Sequence, residues 1–71
     1  MKLSLRQWRN VREISQEAMA LKLGIHVNTY QNWEKEPGKI GISNAVKIAE
    51  ILHVPIEDIN FNATSNLEEV V

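Results

Sequence analysis

The chain has no cysteine, so neither disulfides nor a thiolate metal site can staple it. Histidine is scarce: His26 and His53 alone are too few for a convincing metal cage, and no cofactor is expected. No apolar run approaches the ~20 residues that a membrane-spanning helix needs. Met1-Lys2-Leu3-Ser4 runs on into charged residues rather than an apolar stretch, so no signal peptide is expected. The sequon Asn62-Ala63-Thr64 then reads as chance, and a cytoplasmic location is the expectation. No nucleophile is paired with a base and no glycine-rich phosphate loop occurs, so an enzyme is not expected. With 71 residues the chain makes one domain and leaves little room for a substrate pocket. At this size only about 60% of the unfolded surface can be buried, so the core must be small and well packed.

Net charge is only −1, which by itself speaks against a nucleic-acid partner. The distribution speaks for one. From Met1 to Ile40 there are seven basic residues (Lys2, Arg6, Arg9, Arg12, Lys22, Lys35, Lys39) against four acids, Glu13, Glu17, Glu34 and Glu36. From Gly41 to Val71 Lys47 stands against five acids, Glu50, Glu57, Asp58, Glu68 and Glu69. One end of the molecule can therefore face phosphate while the other faces water. Ordinary uneven surface charge is the competing reading.

What the chain does contain is helical periodicity. Leu5 and Trp8, with Val11 a further candidate, predict an amphipathic first helix over about Leu3–Arg12. Ser15 reads as an N-cap, with Gln16 and Glu17 in the first turn of a second helix that ends near Leu23. Gly24 is its C-terminal glycine. A third helix spans about Val27–Lys35, opened by His26, a mediocre cap, or Asn28. Glu36-Pro37-Gly38 stops it. A fourth helix is expected over about Ile42–Leu52. Pro55 restarts the chain for a short fifth, about Ile56–Asn60, with Ile56 and Ile59 inward. No segment alternates as a strand would. The expected division is a helical domain over residues 1–61 and a polar, then acidic tail over 62–71.

Two short helices joined by a tight turn containing glycine make a helix-turn-helix signature, here Ser15–Leu23, Gly24-Ile25-His26 and Val27–Lys35. At 100° per residue Val27, Asn28, Gln31 and Asn32 share one face of the third helix, and Tyr30 and Trp33 another. The first face is rich in amides, each carrying a donor and an acceptor suited to adenine N6 and N7. The plainer reading is that these amides only solvate an exposed face.

The run Arg9-Asn10-Val11-Arg12-Glu13-Ile14-Ser15-Gln16-Glu17-Ala18-Met19-Ala20-Leu21-Lys22-Leu23-Gly24-Ile25 resembles the Cro/repressor-type (XRE-type) helix-turn-helix family. So do Asn28-Thr29-Tyr30-Gln31-Asn32-Trp33-Glu34-Lys35 and the closing stretch Ile48–Ile59. The resemblance covers about Leu3–Phe61 and implies an all-α, compact five-helix lambda-repressor-like domain that binds double-stranded DNA. It implies a phosphate contact at Gln16, base reading by Val27, Asn28, Gln31 and Asn32, and backbone contacts at Lys35 and Lys39. It also implies an internal salt bridge between Arg9 and Glu34. The chain departs from the pattern at His26, where Ser or Thr is usual, at the displaced glycine of Lys35-Glu36-Pro37-Gly38, and at apolar Leu21.

The expected function is a phage or bacterial repressor acting as a homodimer on a two-fold operator, with Ile56, Phe61, Leu67 and Val70 as candidate dimer contacts. The rival is an antitoxin or anti-repressor on the same fold, holding a protein partner through Leu21 or Leu67–Val71.

Overall fold

The computed structural model describes residues 2–62. Four α-helices make up most of it: α1 (Leu5–Val11), α2 (Gln16–Leu23), α3 (Val27–Lys35) and α4 (Ile42–Leu52). Two single 3-10 turns, Pro37–Lys39 and Ile56–Asp58, and two very short strands, β1 (Leu3–Ser4) and β2 (Ile59–Asn60), complete it. The class is all-α.

The helix starts follow from their caps. Ser4 Oγ accepts from the Gln7 amide at 3.2 Å while Gln7 Oε1 accepts from the Ser4 amide at 2.9 Å, a reciprocal capping box that starts α1 at Leu5. Ser15 Oγ accepts from the Ala18 amide at 3.0 Å and starts α2. Gly24 ends α2 at φ 70°, where a side chain would be strained. The chain turns at once into α3, whose N-cap His26 makes no side-chain cap bond.

Two expectations need correcting. The first helix does not begin at Leu3: Leu3 and Ser4 are extended and pair in parallel with Ile59 and Asn60. The fifth helix is a single 3-10 turn, because the chain leaves Asp58 extended to make that ladder, which satisfies backbone groups a further helical turn would have used. Ile56, expected inward, is exposed, whereas Ile59 is buried.

One core joins the elements. Leu5, Met19, Ala20, Tyr30, Ile48, Ala49, Leu52 and Ile59 are buried together, with Trp8, Ile14, Leu23, Ile25, Val27 and Trp33 packed around them. Each large apolar side chain so buried contributes about 1.5–3 kcal/mol. Trp8 Nε1 donates to the Asp58 carbonyl at 2.8 Å, tying α1 to the last turn. The Arg12 guanidinium lies 5.5 Å from the Trp8 ring centre, and Arg12 Nε donates to the Leu52 carbonyl at 2.7 Å. A cation at the C-terminus of α4 meets carbonyls that the helix leaves without partners. Among the described residues, no helix is long and apolar enough to cross a membrane.

Candidate nucleic-acid interface

The interface is built around the carboxylate of Glu34 on the inner side of α3. It accepts four hydrogen bonds. Arg9 Nε donates at 2.6 Å and Arg9 Nη2 at 3.4 Å, Tyr30 Oη at 2.6 Å, and Gln16 Nε2 at 3.0 Å. The Arg9 and Glu34 side chains are 12% and 5% exposed, so this pair is nearly out of water. Arg9 Nη1 also donates to the Ile14 carbonyl at 3.0 Å, leaving little of the guanidinium unspent. Three helices thus meet at one anion, and α3 is held against α1 and α2 by directional bonds as well as by packing.

The network extends outward. An ionised carboxylate only accepts, so Gln16 must turn Nε2 towards Glu34 and its carbonyl away. That carbonyl accepts from Gln31 Nε2 at 3.2 Å. The amide orientation of Gln31 is therefore set by the Glu34 charge one turn along the same helix, relayed through Gln16, and its own Oε1 is left as an acceptor.

Burial pushes the Glu34 carboxyl up, but the bonds from Arg9, Tyr30 and Gln16 outweigh it and hold the group below its ordinary 4.5. Burial, reinforced by the bond to Glu34, raises the Tyr30 hydroxyl well above its ordinary 10.0. The hydrogen bond to Glu34 raises the Arg9 guanidinium against the opposing effect of burial. For a carboxyl with a depressed value, its contribution to stability is complete above the unfolded pKa and is lost as pH falls through the folded one. Thermal unfolding should therefore show the melting temperature falling as pH drops below about 4.5. Glu34→Gln should make that fall shallower, and equal slopes for the two proteins would deny Glu34 this role.

On the outer side of α3, Asn28, Thr29, Asn32 and Lys35 are exposed and Gln31 is half-buried. Asn28, Asn32 and Lys35 follow one another at i, i+4 and i+7, so they form one stripe. Val27 is half-buried and packs against the core. Lys35 is the last residue of α3. Lys39 sits in the following 3-10 turn and pairs with Glu36 at 3.0 Å on the surface. Gln16 is half-buried at the start of α2, with both ends of its amide engaged. Leu67 and Val70, and the whole stretch Leu67–Val71, lie outside the described residues.

Sequence reasoning missed the part played by Arg12, which caps α4 and covers Trp8, and by Tyr30, whose hydroxyl completes the Glu34 cluster. Tyr30 gave a signal: it stands four residues before Glu34, one helical turn, so the two side chains share a face. Arg12 gave none, because its partners are backbone carbonyls forty residues away.

Neither the curated proteins nor the solved structures contain a match to the chain. A family model described as helix-turn-helix matches residues 5–59, from the first residue of α1 to the first of β2. That span holds the α2–turn–α3 unit and the elements that seat it. The chain belongs to the Cro/repressor-type (XRE-type) helix-turn-helix family of DNA-binding regulators.

Proposed function

We propose that this chain is a sequence-specific transcriptional repressor that lays α3 in the major groove and acts as a homodimer on a two-fold operator in the cytoplasm. The observation that carries the reading is the exposed stripe Asn28–Asn32–Lys35 on a helix whose opposite side is anchored at Glu34. Amide side chains hydrogen-bond base edges in pairs, and a lysine at the end of the stripe suits the adjacent phosphates. Val27 and Gln31 flank the stripe as further base contacts. Gln16 and Lys39 extend the phosphate footprint.

The direct test is selection of bound duplexes from a random pool at stated salt, since affinity without salt is uninterpretable. Recovery of a palindrome is expected, with half-sites about one helical turn, ~34 Å, apart. A strictly 1:1 complex with the best duplex, measured by sedimentation, would contradict the dimer.

Asn28→Ala should weaken binding to the selected duplex by about 1–3 kcal/mol, roughly 5- to 150-fold, and leave binding to random duplex nearly unchanged. Equal losses on both duplexes would remove Asn28 from the readers. Lys35→Ala should weaken binding to both and lower the salt slope by about one unit. An unchanged slope would remove Lys35 from the phosphate footprint.

A second reading, an antitoxin or anti-repressor on this fold, is favoured by Leu21, which is 82% exposed on the outside of α2. Under that reading the chain holds a protein partner there; an antitoxin usually binds DNA as well, so a pull-down from the native host, and not the random pool, tests it.

A further inference from the structure

A cleft of about 530 Å³ opens between α1 and α3, lined by Arg6, Arg9, Gln16, Gln31, Glu34 and Lys35. The charges in it do not cancel. Among the described residues the ion pairs are Arg9–Glu34 and Lys39–Glu36, so the one carboxylate of the cleft is taken by Arg9. Among the described residues Arg6, on α1, and Lys35, on α3, pair with no carboxylate. Arg6 is exposed and lies in the first turn of α1, where no acidic residue accompanies it. A cation gains nothing from the backbone dipole at that end of a helix. Gln16, the other polar group of the cleft, has one amide hydrogen left after serving Glu34 and turns its carbonyl to Gln31. The donors that remain suit an oxyanion, and the guanidinium fork is the side chain best matched to one with two free oxygens.

We propose that Arg6, with Lys35 across the cleft, clamps a backbone phosphodiester of the bound duplex, so that α1 as well as the helix-turn-helix unit grips DNA. The inference rests on the DNA-binding reading and adds a residue to it. The contact is to phosphate, so it carries no base preference and works on any sequence.

The test uses a duplex of random sequence, titrated with salt, and the variants Arg6→Gln, Arg6→Lys and Lys47→Gln. Each phosphate neutralised contributes about 0.9 to the slope of log affinity against log salt. Arg6→Gln is expected to lower the slope by that amount, so the loss of affinity between 50 and 200 mM salt shrinks about 3.5-fold. Its melting temperature should stay level or rise, because the lost cation had no partner. Arg6→Lys should keep the slope. Lys47→Gln, on α4 and away from the cleft, should also keep it. If Arg6→Gln keeps the wild-type slope, Arg6 touches no phosphate, and the wild-type titration still stands for DNA binding. If Lys47→Gln loses as much as Arg6→Gln, net charge and not the cleft is responsible, and the clamp is overturned. If the wild-type protein binds no duplex at low salt, the DNA-binding reading and the clamp fall together.

Discussion

Arg9→Met and Glu34→Gln are each expected to lower the unfolding free energy by about 3 kcal/mol, the lower end for breaking a buried ion pair by removing one partner. Each leaves the other group poorly solvated, at a site where the two side chains are nearly sealed from water. The figure sits at the lower end because the survivors keep some partners. Arg9 retains the Ile14 carbonyl, and Glu34 retains Tyr30 and Gln16. For a domain of this size 3 kcal/mol corresponds to a drop in melting temperature of roughly 12–24 °C. The double variant should lose less than the sum, since it strands neither charge. A double-mutant cycle by thermal denaturation reads the coupling directly. Simple additivity would mean that the contact at 2.6 Å does not couple the residues. If Arg9→Met left stability intact and abolished DNA binding, Arg9 would belong to the phosphate footprint instead.

Tyr30→Ala should be at least as damaging, and Tyr30→Phe tells why. The ring is wholly buried in the core, and truncating a large aromatic there costs about 3–5 kcal/mol. Phenylalanine keeps the ring and loses only the hydroxyl that donates to Glu34 at 2.6 Å. A hydrogen bond to a charged group is worth about 1.5–3 kcal/mol, so Tyr30→Phe should fall between wild type and Tyr30→Ala. Urea titration checks this: the midpoint should move in that order at constant m-value. A Tyr30→Phe protein as stable as wild type would show that the cluster does not need the hydroxyl and that Arg9 and Gln16 suffice for Glu34.

The two tyrosine variants also separate what was legible in the sequence from what was not. Tyr30 reads as core because it stands opposite the amide face of α3 at helical spacing, a local pattern that survives in one dimension. α2 and α3 were legible for the same kind of reason, Ser15 and Gly24 bounding the one and Glu36-Pro37-Gly38 stopping the other, and α4 was legible from its apolar residues at helical spacing. The ends of the domain were not. Leu3 and Ser4 look like the beginning of an amphipathic helix, and Ile56–Asn60 like a short helix after a proline. What makes β1 and β2 of them is a pairing between Leu3 and Ile59, and propensity says nothing about a partner so far along the chain. The outer stripe of α3 was legible as a set of amides. That Gln31 is bonded to Gln16, and Gln16 to Glu34, was not, because the orientation of Gln16 depends on a group of the neighbouring helix that can only accept.

The pairing of β1 with β2 has a consequence for the order in which the protein assembles. Apart from it and the Trp8–Asp58 bond, the nearest-neighbour contacts of α2 with α3 can form while the chain is otherwise open, since a three-residue connection costs little entropy to close. Bringing Leu3 to Ile59 closes a loop of nearly the whole described chain. On the scaling part of the loop-closure relation alone that costs roughly 3.5 kcal/mol. Such a contact gains its return only when Leu5 and Ile59 already share a core, so it belongs late on the folding route, and its breaking belongs early on the unfolding one. The two ends of the domain then open as one cooperative unit, and amide protons at Asn60 and along α1 should exchange with solvent at a common rate, ahead of those in the middle of α4.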